Sequence, residues 1–172
     1  WFKAITQAAL ASSGARGIQL VGTTMLKAAE TAAAGRRTNL APEQIAQLER
    51  GGQIYNELCF ACHGTDAMGT PKPELATTMA PALAGAARVT GHRDYITKVV
   101  LNGLIGAVDG KTYADMMIPM GNHDDQWIAD VTSYVRNSFG NNAGFVSTAD
   151  VARVRAATAG RTAIWTLPEL TA

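Results

Sequence analysis

Both cysteines of this 172-residue chain fall in one heptapeptide, Leu-Cys-Phe-Ala-Cys-His-Gly, as Cys59 and Cys62, with His63 directly after the second. Three chemistries use such a grouping. A dithiol redox pair places C-x-x-C at the start of a helix that follows a strand; here the residues before Cys59 read as helix, and no strand-helix-strand pattern is present. Structural zinc takes four ligands, usually with a second Cys or His pair at short spacing, whereas His92 and His123 stand alone and far apart. Covalent attachment of a c-type haem uses every member of C-x-x-C-H: the two thiols add to the two porphyrin vinyl groups, and the adjacent histidine is thereby set beneath the iron as its proximal ligand.

If haem is the group held, its iron has a sixth position to fill. In an electron carrier the protein usually fills it, and a thioether raises the reduction potential because soft sulfur favours the ferrous state. The segment Tyr-Ala-Asp-Met-Met-Ile-Pro-Met-Gly, residues 113–121, supplies Met116, Met117 and Met120. At most one can bind iron, and the others would fill space against a large apolar ring. The competing enzyme-class reading is a peroxidase-like haem enzyme or a sensor with an open sixth position, which would need a distal acid or base; His92 and His123 are the residues available. A third reading makes the chain a helical docking module in which haem is incidental. Arg88, Arg93 and Trp127 are further candidates, for pairing with or covering the haem propionates, against a solvated role for each arginine and a core role for the tryptophan.

The elements that must carry these residues are helical. Pro42 suits the first turn of a helix, and Ile45, Leu48, Gly52 and Tyr55 then recur at three- and four-residue steps, so this helix delivers its C-terminal end to Cys59. Residues 64–91, with Pro71, Pro73 and Pro81, read as loop. Helical spacing returns with Tyr95, Ile96, Val99 and Val100, and again with Ile128, Val131, Tyr134 and Val135, where acids occupy the first turn and Gly140 lies past the end. A last helix starts at Ser147, where Ser-Thr-Ala-Asp fits a capping box in its Asp form. At the N-terminal end, residues 1–38 are Ala-rich, break at Ser12 to Gly14, and place Ile18, Val21, Met25 and Ala29 on one face, as expected of a helical hairpin or the last unit of a repeat. No segment alternates as a strand does, so the expected fold is all-α. It divides into an N-terminal helical extension (1–40), a haem domain (41–141) and a C-terminal helix and tail (142–172).

Composition narrows the classes further. With 15 Lys+Arg against 14 Asp+Glu and no basic run, the chain lacks the charge pattern that tracks a phosphate backbone, and nucleic acid is not an expected partner. No apolar run reaches the roughly 18 residues of a membrane span. Trp1 cannot be a translation start, so a segment upstream is expected: a signal peptide, the rest of a longer polypeptide, or both.

Over about residues 42–140 the chain resembles class I cytochromes c. That family carries a small residue four positions before an aromatic, itself four before the first haem cysteine, matched here by Gly51, Tyr55 and Cys59; the glycine lets the C-terminal helix cross closely, with an aromatic matched by Tyr134. The segment Ala-Pro-Ala-Leu resembles the family's Gly-Pro-x-Leu, with Ala80 in place of the glycine. By resemblance the Pro81 carbonyl accepts a hydrogen bond from the proximal imidazole, and Leu83 packs on the haem. Many bacterial members place the ligand methionine four residues after a tyrosine and directly before a proline. Tyr113 and Met117 keep the four-residue step, although Ile118 is inserted before Pro119, so the resemblance points to Met117, with Met120 and then Met116 behind it.

Residues 79–170 also look like cytochrome c domains at the C-terminal end of large bacterial periplasmic proteins, in which a dehydrogenase-like domain and helical repeats come first. What this likeness implies is electron transfer rather than catalysis, through one haem c bound by Cys59, Cys62, His63, Met117 and Pro81, with His63 and Met117 on the iron. The implied electron donor is a dehydrogenase domain or partner, the acceptor another cytochrome or an oxidase, and the location the periplasm or the outer face of the membrane.

Overall fold

The computed structural model describes residues 39–171, and the hairpin expected in residues 1–38 lies outside them. Two compact units are distinguished, Trp1–Leu40 and Ala41–Ala172, and the helices and hairpins that carry the C-x-x-C-H and methionine segments all belong to the second.

Helix α1 (Pro42–Ile54) begins as the sequence predicts. Pro42 occupies the first helical position, where its missing N–H is not needed, and the Gln44 side-chain carbonyl accepts the Ala41 N–H at 3.0 Å. The helix runs without interruption into a wider π turn (Tyr55–Cys59), where the Phe60 N–H reaches back to the Tyr55 carbonyl, and then into α2 (Phe60–His63). Two short hairpins come next at intervals, β1 (Pro71–Lys72) with β2 (Thr77–Thr78) and β3 (Ala107–Val108) with β4 (Lys111–Thr112), both antiparallel, with Pro71 opposite Thr78 and Ala107 opposite Thr112. They form only two-stranded sheets among the described residues, so the expected helical fold is what forms.

Between the hairpins lie α3 (Ala87–Thr90) and α4 (Arg93–Asn102); after them come α5 (Asp125–Asn137), α6 (Thr148–Ala157) and α7 (Leu167–Thr171). Caps set the starts of the longer ones. His92 Nδ1 accepts from the Asp94 N–H at 3.2 Å on α4, and Asp124 Oδ1 accepts from the Trp127 N–H at 2.8 Å on α5. On α6, Ser147 and Asp150 form the expected reciprocal box, with Asp150 N–H to Ser147 Oγ at 3.1 Å and Ser147 N–H to Asp150 Oδ2 at 3.0 Å.

The core gathers where α1 crosses α5. Tyr55, Ile128, Ala129, Val131 and Val135 meet Val89, Ile96, Val100 and Leu101, and on the far side Val146, Val151 and Val154 close it. The crossing is close because Gly51 has no side chain: a Cβ there would lie 2.2 Å from the Asp130 carbonyl oxygen and 2.6 Å from Tyr134 Cβ. Polar groups clasp the same junction. Asp130 is 2 % exposed and pairs with Arg50 through two hydrogen bonds, of 2.6 and 3.0 Å, while Gln126 donates to it at 2.7 Å. Gln47 reaches over to the Ala129 and Val146 carbonyls and to Ser133 Oγ. Arg136 is buried and donates to the Val89, Gly91 and Gly144 carbonyls; burial pulls its guanidinium below its ordinary value, and the backbone oxygens hold it where no carboxylate does.

Residues 142–171, expected as a C-terminal helix and tail following a separate domain at 41–141, pack in one unit with that domain, and Val151 and Val154 on α6 are fully buried in its core.

The crossing gives the first prediction. Gly51→Ala should cost about 1–3 kcal/mol in equilibrium unfolding, since the obstructing atoms include backbone. Gly52→Ala, whose Cβ would meet only the Tyr134 ring at 3.0 Å, should cost clearly less. Equal losses would show that the crossing does not depend on the backbone approach at Gly51.

Candidate functional site

The heptapeptide sits at the end of a continuous helical run, and the π turn sets how it faces. One extra residue in the turn rotates α2 by about 100° relative to α1, so Tyr55 stays fully buried in the crossing while Cys59 and Cys62 emerge half-buried as free thiols. The end of α2 is tied off by the loop beyond it. Thr70 N–H donates to the Cys62 carbonyl at 2.9 Å, Gly69 N–H to the His63 carbonyl at 2.8 Å, and Tyr55 Oη–H to the Gly64 carbonyl at 2.7 Å. The loop is then folded back by Met79 N–H on the Thr70 carbonyl and Leu83 N–H on the Ala67 carbonyl, both 2.8 Å, which brings Pro81 to the same place.

Two adjoining clefts open here, and Cys59, His63, Pro81, Leu104, Met117 and Met120 line both. The inner one is walled by Tyr55, Leu83, Val89, Ile96, Val99, Val100, Val131 and Val135, with Arg88, Tyr95, Trp127 and Thr132 at its polar points. The outer one adds Cys62, Leu58, Ala61, Met79, Tyr113, Met116 and Ile118. An apolar slot of this kind, flanked by two thiols and an imidazole, has the donor set and the wall chemistry for a haem.

His63 is 8 % exposed, and its Nδ1 is buried with no hydrogen bond of full geometry. Burial pushes the imidazole down to about 4, against the Pro81 carbonyl, which favours the charged ring; Arg88 nearby adds to the lowering. The ring is therefore neutral at neutral pH, with a lone pair available to a metal. Burial likewise pushes the Cys59 thiol up to about 11, with Cys62 adding to the rise. A thiol so far from ionising is not that of a dithiol oxidoreductase, whose attacking cysteine is lowered. Among the described residues no three of His, Cys, Asp and Glu come together as a metal cluster.

The methionine segment is laid along the cleft by backbone pairing. Met117 N–H donates to the Leu104 carbonyl at 2.8 Å and Leu104 N–H to the Met117 carbonyl at 3.2 Å; further on, Met120 N–H donates to the Val100 carbonyl at 2.9 Å. Met117 and Met120 are half-buried and line both clefts, whereas Met116 is 47 % exposed and lines only the outer one. Gly103 makes the pairing possible. Its φ is +80°, and a Cβ on it would stand 2.6 Å from the Met117 carbonyl oxygen.

The remaining candidates separate. Arg88 lines the inner cleft while bonded to Asp109 and to the Ala82 carbonyl; Arg93 is away from it, paired with Asp150 at 3.0 Å on the surface. Trp127 lines the inner cleft and stacks on His123 at 3.8 Å between ring centroids. His92 caps α4 with its side chain 77 % exposed, and neither it nor His123 lines either cleft, so the histidines considered for distal chemistry are not where that chemistry would occur. Sequence reasoning missed the π turn, for which Tyr55 to Cys59 carries no compositional signal, and the contacts that the C-terminal segment makes to this site.

The cytochrome c family model matches residues 48–139, more than half of the chain. The chain belongs to the cytochrome c family. Membership implies a covalent haem c with its iron and a role in electron transfer, and Cys59, Cys62 and His63 of this cytochrome c domain fit the C-x-x-C-H motif. Among known proteins, it is 32% identical over 123 residues to "Alcohol dehydrogenase (quinone), cytochrome c subunit" from Gluconobacter oxydans (strain 621H), covering 66% of this chain and 24% of that protein. It is 33% identical over 109 residues to "Gluconate 2-dehydrogenase cytochrome c subunit" from Pantoea cypripedii, covering 62% of this chain and 24% of that one. The cytochrome c chain thus spans about a quarter of the length of the curated relatives it matches. No helix among its described residues is long and apolar enough to cross a membrane.

The geometry at Gly103 is directly testable. Gly103→Ala would strain a positive φ and press on the Met117 backbone at once, so a loss of about 1–3 kcal/mol in unfolding free energy is expected. Gly106→Ala offers the control: φ is also positive, at +92°, but nothing lies within 4 Å, so its loss should fall short of that at Gly103.

Proposed function

We propose that this domain carries one electron at a time through a single haem c with His63 and Met117 as axial ligands. The observation that carries the reading is that Cys59, His63, Met117 and Met120 line both of two adjoining apolar clefts, with Cys62 on the outer one. Bound there, the haem supplies the Fe(III)/Fe(II) couple. Cys59 and Cys62 hold the porphyrin through thioethers. His63 would offer its unprotonated ring nitrogen to the iron, and the Pro81 carbonyl near its Nδ1 would serve to orient the ring and raise its basicity. Met117 supports the ferrous state with a soft donor, and Val99, Val100, Leu104 and Val131 exclude water from the iron.

Two relatives named as cytochrome c subunits of an alcohol dehydrogenase and a gluconate dehydrogenase support a dehydrogenase subunit or domain as the electron donor, with another cytochrome or an oxidase as acceptor. Thioether attachment in bacteria belongs to exported chains, which puts the domain in the periplasm or on the outer face of the membrane.

The test is spectroscopic, on haem-loaded protein. Ferric wild type should show the weak far-red charge-transfer band of methionine-ligated haem, with one haem per chain by pyridine haemochrome. Met117→Ala should abolish the band and lower the reduction potential, while Met116→Ala and Met120→Ala keep both. A high-spin ferric spectrum in wild type would overturn methionine ligation, and loss of the band only in Met120→Ala would move the ligand to Met120.

A further inference from the structure

We propose that the segment from Ser147 to Thr171 is a strap that holds the methionine side of the haem site, with Arg155 and Trp165 as positioning residues for the axial sulfur. The inference rests on the proposed methionine ligation and adds to it the parts that fix the ligand.

The strap grips at two points. Arg155, near the end of α6, uses all three guanidinium nitrogens on the turn just after Met120: Nη1 donates to the Gly121 carbonyl at 2.5 Å, Nη2 to the His123 carbonyl at 2.7 Å, and Nε to Asp125 Oδ1 at 2.8 Å. The chain's path from Met120 into α5 is thereby set by a fork whose donors are fixed relative to one another. At the second point Trp165 pairs with the Gly103–Ile105 segment, which itself pairs with Met117. Ile105 N–H donates to the Trp165 carbonyl at 2.9 Å and Trp165 N–H to the Gly103 carbonyl at 3.3 Å, so Leu104 is bridged by Met117 on one side and Trp165 on the other. The indole packs in one apolar cluster with Leu104, Val108 and Met117, and its outer face is covered by the Arg161 guanidinium, 3.4 Å from the ring centroid.

Helix α6 has other anchors besides Arg155: it is seated by buried Val151 and Val154, by Arg153 on Asp94 through two hydrogen bonds, and by Arg93 on Asp150. Arg155 points instead at two carbonyls of the ligand loop. A thioether on an untethered loop must be ordered each time it meets the iron, and pre-ordering removes that cost from every ligation event.

Exogenous imidazole reads the effect, because it displaces the methionine from ferric haem in competition with however firmly the loop is held. In the haem-loaded protein, Arg155→Met and Trp165→Leu should each raise imidazole affinity about tenfold, the scale of losing one charged or well-packed anchor. Arg155→Lys, which keeps a cation without the three-point fork, should raise it less and guards against a variant that fails to fold. Arg153→Ala, which loosens the same helix away from the loop, should lower thermal stability yet leave imidazole affinity within about twofold. The proposal is overturned if Arg155→Met, or its Lys stand-in, and Trp165→Leu bind imidazole as wild type does, or if Arg153→Ala raises the affinity as much. Met117→Ala reports separately on the ligand. If it keeps the far-red band, Met117 is not the sulfur on iron, while the strap is still judged by the other variants because Met120 sits on the same loop.

Discussion

The close approach of two helix backbones at Gly51 is the constraint on which the other placements depend. With no side chain in the way, α1 lies against the Asp130 carbonyl and the Tyr134 Cβ, and this fixes where α1 ends and what its last turn faces. Buried polar groups then set the register. Asp130 is satisfied by Arg50 and Gln126, and Gln47 spans to Ser133 and Val146. A sliding α1 would leave these groups unpaired in the interior, where the penalty exceeds what an equivalent bond gains. Only with that register settled does the π turn present the two cysteines and His63 to the cleft.

Much of this was legible in the sequence because the signals were local or strongly constrained. Pro42 and the Ser147–Asp150 box are read from a few adjacent residues, and each starts a helix where it was expected, while Asp124, read only as one of the first-turn acids, is the cap of its helix. Gly51, Tyr55 and Tyr134 were legible through family resemblance, and their geometry has a direct steric cause. The three residues of C-x-x-C-H are one motif, so their proximity needed no fold. The methionine segment was only partly legible. Three thioethers within five residues look alike in sequence, and burial and cleft lining separate Met116 from the other two while placing Met117 and Met120 on the same walls.

What the sequence concealed depends on pairings between distant segments. The π turn arises in a run whose composition is ordinary for an α-helix, with Tyr55 fully buried and Cys59 half-buried at its two ends. Arg88 and Arg93 are equivalent as surface arginines by composition; tertiary packing puts one beside the cleft and pairs the other with Asp150. Residues 142–172 read as an appendage because one helix and a tail carry no motif. Their role comes from what they touch, a rung of backbone at Leu104 and two carbonyls beyond Met120.

The aliphatic lining of the inner cleft has a consequence for rate as well as for binding. When the charge on an iron changes by one unit, dipoles around it must reorient, and that reorganisation energy sets much of the barrier to electron transfer. Val89, Ile96, Val99, Val100, Val131 and Val135 carry no dipole to turn, and Tyr55 stays protonated because burial raises its phenol above its ordinary value, its hydroxyl already committed to the Gly64 carbonyl. With haem bound as proposed, these aliphatic walls would add little to that reorganisation, which would fall instead on Arg88, Tyr95, Trp127 and Thr132.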